Sequence, residues 1–286
     1  ITIRNVSVRN PWYSQNGDGL DLDSCRFVDV YDCHFDVGDD AICMKSGKDK
    51  PGRDLGKPCE YVDIRDCVVY HGHGGFVIGS EMSGRVKHIN IKDCLFIGTD
   101  TGLRFKTARG RGGTVENIDV RNIFMTEIPG DAITFSMYYS HSGSAHPEEC
   151  PVTEETPVFR NFYFENIQCI GASHAINING LQEMPIENME FRSVNMSAEK
   201  AIKIRFAKGL RFQNVKIASN EGPLFTIDTS SEIEAVNVTG NRADQAYAEI
   251  SGKDTANLRF EGENVTGQSV NIAPEVDSAQ VKLQDR

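Results

Sequence analysis

Apolar and polar positions along the chain recur as a phrase of six residues. It reads IRNVSV from Ile3, VYDCHF from Val30, IRDCVV from Ile64 and IKDCLF from Ile91, then VRNIFM from Val120, FENIQC from Phe164, FRSVNM from Phe191 and FQNVKI from Phe212. Each copy has an apolar residue, two polar ones of which the second is usually Asn or Asp, and an apolar-x-apolar triplet. The steps between copies run from 21 to 44 residues around a base period in the twenties, so two of them carry insertions. A second short phrase follows the first: GLDLD at Gly19, DAICMK at Asp40, GFVIG at Gly75, GLRFK at Gly102, DAITF at Asp131, AININ at Ala175 and AIKIR at Ala201. Alternating runs of four to six residues punctuated by Gly, Asn and Asp are strands and turns, and no 3.6-residue period links them. Short strands at this period without intervening helices predict an all-β fold, a single-stranded right-handed parallel β-helix, over residues 1–286 as one domain. The tail 245–286 loses the clear repeat and reads as terminal coils and a cover. Because the sequence opens directly on a coil, upstream coils or a cap are expected to be missing from it.

Composition narrows the partners. Of 286 residues, 39% are hydrophobic and 25% charged, enough for a packed core. A net charge of −11 argues against nucleic acid, and no apolar run reaches membrane-spanning length. The first residue is Ile1, so any export signal is expected to have been removed, and a secreted or periplasmic location fits. Eight cysteines lack the CxxC spacing of zinc sites, and disulfides or buried free thiols both remain open. Cys33, Cys67 and Cys94 fall at equivalent places in three consecutive coils, where core packing is the simpler reading.

In a solenoid, equivalent positions of neighbouring coils lie about 4.8 Å apart. The loops before the second strands carry Asp18, then Asp39 and Asp40, then His73; the next second strand carries Arg104 and Lys106 on one face. Three carboxylates, an imidazole and two cations thus converge on one strip. Crowded carboxylates suit glycoside hydrolysis, in which one must be protonated to donate to the leaving oxygen while another activates water. Arg104 and Lys106 would hold a substrate carboxylate, so a sugar acid fits all six groups.

Asn16-Gly17-Asp18-Gly19, Gly38-Asp39-Asp40, Gly72-His73-Gly74 and Arg104-Phe105-Lys106 resemble the four signature motifs of the polygalacturonase family of pectin hydrolases (glycoside hydrolase family 28), in the family's order. The usual NTD is NGD here and the usual RIK is RFK. The resemblance implies that Asp39 is the general acid and that Asp18 and Asp40 position and deprotonate the water. It also implies that His73 supports the acid or a substrate hydroxyl, and that Asn16, Arg104 and Lys106 bind substrate. Tyr138 stands where the family has a sugar-contacting tyrosine, with Tyr139 the competing choice. The family inverts the anomeric centre without metal or other cofactor, and inversion leads one to expect acid and base roughly 6.5–9.5 Å apart.

Two inserts, Gly47–Glu60 and Ser140–Pro157, are expected on the binding face. The phrases DAICMKSGKD, GFVIGSEMSG and GLRFKTARGRGG look closer to exo-acting members, with Lys45, Arg109 and Arg111 adding charge for a terminal galacturonate. Pectic polysaccharide or oligogalacturonides are then the partner, and oligomeric state stays open. Rhamnogalacturonan or xylogalacturonan hydrolysis, a calcium-dependent pectate lyase and a non-catalytic carbohydrate-binding β-helix are the alternatives.

Overall fold

A computed structural model describes residues 1–139, 148–242, 244–263 and 265–286. It is a parallel β-helix, with every paired strand parallel to its neighbours in one long sheet of 14 strands and a second sheet of ten. The six-residue phrases lie in the long sheet, inside strands such as Val86–Ile97, Thr114–Thr126, Ile186–Ala198 and Ala207–Ser219. The second phrases form the other sheet, which includes Leu20–Asp23, Asp40–Lys45, Gly74–Ile78, Leu103–Lys106 and Ile133–Ser136. In the tail, Ala248–Ser251 and Val270–Ile272 extend this second sheet, while Ala256–Gly262 and Val281–Asp285 extend the long one.

The polar residue of the phrase has a backbone reason. Asp32, Asp66, Asp93, Asn122, Asn166, Ser193 and Asn214 all have φ between 52° and 55°. That is the left-handed region, which Asn and Asp tolerate better than other side chains. The chain bends there, and the side chains stack along the axis: Asn122 Nδ2 donates to Asp93 at 2.8 Å and Asn166 Nδ2 to Asn122 at 2.9 Å. The apolar residue two positions before the bend and the first and third residues of the triplet after it face inward. Phe164, Phe191 and Phe212 stack at centroid distances of 4.8 and 4.9 Å, nearly parallel, one in each of three successive coils.

Cys33, Cys67 and Cys94 are free and buried, each just after a bend, and each thiol donates to the carbonyl two residues before it at 3.2 Å. Their stack belongs to the core. On the outer face of the long sheet, charges alternate between coils: Glu60, nearly buried, sits between Arg26 at 2.6 Å and Lys87 at 3.1 Å, and Arg160 meets Glu116 at 2.7 Å. Opposite charges on adjacent strands support the parallel register.

The insert after the double-Asp strand holds the one α-helix among the described residues, Asp49–Leu55, which ends on Gly56 in the left-handed conformation. Residues 140–147 of the second insert lie outside the described residues. No described helix is long and apolar enough to cross a membrane.

Candidate active site

Strand pairing brings the four motifs to one place. Leu20 pairs with Ile42, Asp40 with Gly74, and Arg104 with Val77, so the loops carrying Asp18, Asp39 and His73 stack beside the strand carrying Arg104 and Lys106. Backbone bonds tie these loops together: Asp39 N donates to Gly17 O at 3.3 Å and His73 N to Asp39 O at 2.9 Å. The motif glycines permit this approach. A Cβ on Gly19 would sit 2.5 Å from the Ala41 carbonyl oxygen, and one on Gly38 would sit 2.5 Å from that of Pro11. Asn16, at φ 54°, makes the left-handed turn that presents Asp18.

A cleft of about 450 Å³ results, lined by Asn16, Asp18, Asp39, Asp40, His73, Lys45, Arg104, Lys106 and Tyr139 with Ser80 and Glu81. Asp40 is at the bottom, its side chain 3% exposed, held by Lys106 Nζ at 2.6 Å and Arg104 Nη1 at 3.3 Å. Asp18 accepts from Lys45 Nζ at 3.1 Å, and the same amine reaches Asp21 at 2.7 Å. Among the described residues no lysine or arginine pairs with Asp39; its Oδ1 meets His73 Nδ1 at 3.1 Å and accepts from the Asp40 amide at 2.9 Å. The three carboxylates therefore differ in surroundings. Two are held by lysine or arginine, and the third is partnered by an imidazole.

Burial acts against the charge on Lys45, yet the carboxylates of Asp21 and Asp18 hold its pKa above the usual lysine value. Burial, together with nearby Asp18, raises the pKa of Asp21 despite the lysine beside it. One oxygen from each of Asp18, Asp39 and Asp40 lies within 4.8 Å of the others. Such a set could hold a cation, but Lys45, Lys106 and Arg104 already supply the countercharge. The spacing is also closer than the 6.5–9.5 Å expected of an inverting pair.

Three expected substrate contacts sit differently in the structure. Arg109 does not line the cleft; its guanidinium binds Glu183 in fork fashion at 2.6 and 2.8 Å. Tyr138 packs under that guanidinium, with the Arg109 carbon 5.3 Å from its ring centre. Tyr139 faces the cleft instead, its ring 4.8 Å from Lys106 Nζ and 5.5 Å from the Arg104 carbon. Alternation along Ile133–Ser136 points to Tyr138, but the strand ends at Ser136 and a turn shifts the parity; Tyr139 N then donates to Thr107 O at 2.9 Å. Arg111 is also committed, to Asp49 and to the Ser80 carbonyl at 3.1 Å. With Arg53, which donates to the carbonyls of Gly110 at 2.6 Å and Arg111 at 3.2 Å, it fastens the helical insert to residues 108–113 beside the cleft. Asp21 was not singled out in the sequence because it belongs to none of the four motifs, while Ser80 and Glu81 fall in GFVIGSEMSG, a phrase that looks exo-like as a whole.

The chain is similar to known proteins over most of its length. The family model described as "Glycosyl hydrolases family 28" matches residues 1–208. A probable polygalacturonase of Vitis vinifera is 30% identical over 207 residues, covering 71% of this chain and 41% of its own length. An exo-poly-alpha-D-galacturonosidase of Dickeya chrysanthemi is 26% identical over 202 residues, covering 68% of this chain and 32% of its own. Among solved structures, a hyperthermoactive exopolygalacturonase from Thermotoga maritima superposes with a TM-score of 0.69 at 30% identity, over 76% of this chain and 47% of that one. The chain thus spans less than half the length of these relatives.

Proposed function

The chain belongs to family 28 of the glycosyl hydrolases, and on that premise we propose that it hydrolyses α-1,4-linked galacturonate in pectic polysaccharide, inverting the anomeric centre and acting from a chain end. The observation that carries this reading is the unequal treatment of three converging carboxylates. Asp39 is the general acid: of the three carboxylates it alone lacks a lysine or arginine partner among the described residues, and His73 can exchange a proton with it or orient it. Asp18 and Asp40, beside Lys45, Lys106 and Arg104, accept hydrogen bonds from the attacking water. A water donating to both at about 2.8 Å needs their oxygens no more than roughly 5.6 Å apart, which the observed spacing allows.

That spacing alone would also suit a retaining, double-displacement pair. Both possible nucleophiles, however, are tied to lysines, and Asp40 has a side chain only 3% exposed, so we read the pair as holding a water, as the inverting family it resembles implies. As the glycosidic bond breaks, Asp39 gives its proton to the leaving oxygen, water adds from the opposite face, and its proton passes to the Asp18–Asp40 pair. Arg104, Lys106 and Tyr139 border the place of the sugar carboxylate and ring. The fastened insert beside the cleft and the exo-acting relatives support attack at a chain end. A wall polysaccharide as substrate entails work outside the cytoplasm.

The test is product analysis on a galacturonate oligomer series with detection of the anomer first formed. Release of monomer or dimer from one end, in the inverted configuration, is expected from the native sequence, and turnover is expected to vanish in Asp39→Asn. Products with a 4,5-double bond absorbing in the ultraviolet would indicate a lyase and overturn the reading.

A further inference from the structure

The rows of the second sheet that build the cleft continue past it. Arg104 pairs with Thr134, Thr134 with Asn177, Asn177 with Lys203, and Lys203 with Thr226. In the neighbouring row, His174 pairs with Lys200. Lys203 therefore lies on the same outer row as Arg104, three strand steps or about 14 Å further along the axis.

There a second cavity of about 260 Å³ opens, lined by His174, Lys200, Lys203, Thr226 and Glu221 among others. His174 is fixed in place: its Nδ1 meets Asp131 Oδ1 at 3.0 Å, while Asn177 Nδ2 donates to Asp131 Oδ2 at 2.8 Å. Burial opposes the Asp131 charge, yet these donors hold its pKa below the usual carboxylate value, so it stays ionised and satisfied. Nδ1 being taken, Nε2 of His174 is left for a ligand, as an acceptor from a hydroxyl or, once protonated, a donor to a carboxylate. Lys200 is paired with Glu221 at 3.4 Å, both exposed, and the next cation in the row beyond, Arg205, with Asp228 at 2.9 Å. Lys203, exposed between them, makes no ion pair among the described residues. Between the two cavities the Arg104 row offers only the hydroxyl of Thr134 and the amide of Asn177.

We infer that His174 and Lys203, beside the Lys200–Glu221 pair, form a distal subsite for an anionic sugar, Lys203 taking the carboxylate of a uronate several residues along the same chain whose linkage lies at Asp39. On a protein of net charge −11, a cation-bearing row continuous with the cleft is where a polyanion can lie. The inference rests on the reading of the cleft as a galacturonate hydrolase, and binding and turnover separate the two.

Binding of a long oligogalacturonate and of digalacturonate is measured by calorimetry at low salt for the native sequence, Lys203→Ala and Lys203→Arg, with kcat/KM measured on both substrates. The expected result is a loss of about 2- to 5-fold in the preference for the long oligomer in Lys203→Ala, the worth of one exposed ion pair, restored by Lys203→Arg and erased by salt. An unchanged ratio of long to short overturns the distal subsite. A Lys203-dependent ratio in binding, in a protein that cleaves neither substrate, upholds the subsite and overturns the hydrolase reading instead.

Discussion

Lys106→Met probes the centre of the site. Lys106 and Asp40 are 2.6 Å apart with side chains only 8% and 3% exposed, so removing the amine leaves a carboxylate charge where water hardly reaches. Breaking one partner out of a buried pair costs about 3–5 kcal/mol. Arg104 remains 3.3 Å from the other Asp40 oxygen, which puts the expected loss at the lower end, about 3 kcal/mol. At about 2 °C per kcal/mol for a chain of this size, thermal unfolding followed by circular dichroism should begin about 6 °C lower. Adding Asp40→Asn removes the stranded charge, so the double variant should recover about 2 kcal/mol relative to the sum of the two single changes. Turnover should fall through kcat more than KM, because Lys106 orients Asp40 as well as bordering the sugar carboxylate. A Lys106→Met protein as stable as the native one, or strict additivity in the cycle, would refute the claim that this pair is a buried, mutually dependent unit.

Two further outcomes can be checked. Asp131 has a depressed folded pKa and should contribute stability that is present above its unfolded value of about 3.9 and is lost as pH falls through the folded value. The difference in denaturant midpoint between the native sequence and Asp131→Asn should therefore be full at pH 6 and shrink below pH 4; a gap that persists at pH 2.5 contradicts it. The eight cysteines are free, six of them buried, and burial pushes Cys59 and Cys169 up to about 12. A thiol reagent at pH 8 should reach Cys25 and Cys150 first and all eight only on unfolding, whereas rapid labelling of Cys59 or Cys169 in the native protein would count against the packing.

The coil and the convergence of Asp18, Asp39, Asp40, His73, Arg104 and Lys106 were legible because both depend on register, and register is written in the spacing of Asn, Asp and apolar triplets. The partners of the long cations were not. Whether Arg109 faces a sugar or Glu183 depends on a residue 74 positions away in sequence, and no local pattern signals it. Tyr138 and Tyr139 were separable only by where the strand ends. Lys45 was expected to add charge for the substrate, yet it neutralises Asp18 and Asp21, because a cation next to two carboxylates at the foot of a strand meets them before any ligand does.

The left-handed Asn and Asp bends give every coil the same joint, so coils past about residue 186 resemble interchangeable rungs. Pairing of Ile186–Ala198 with Ala207–Ser219 runs in unbroken steps from Ile186 opposite Ala207 to Ala198 opposite Ser219. Gain or loss of a whole rung there leaves the joints matched and the catalytic cleft untouched, and moves only the distal cations. Between residues 18 and 106 the same event keeps the ladder yet lifts a carboxylate away from its lysine by one storey. Duplication past residue 186 thus shifts at most where Lys203 stands along the sheet, whereas between residues 18 and 106 it takes the cleft apart.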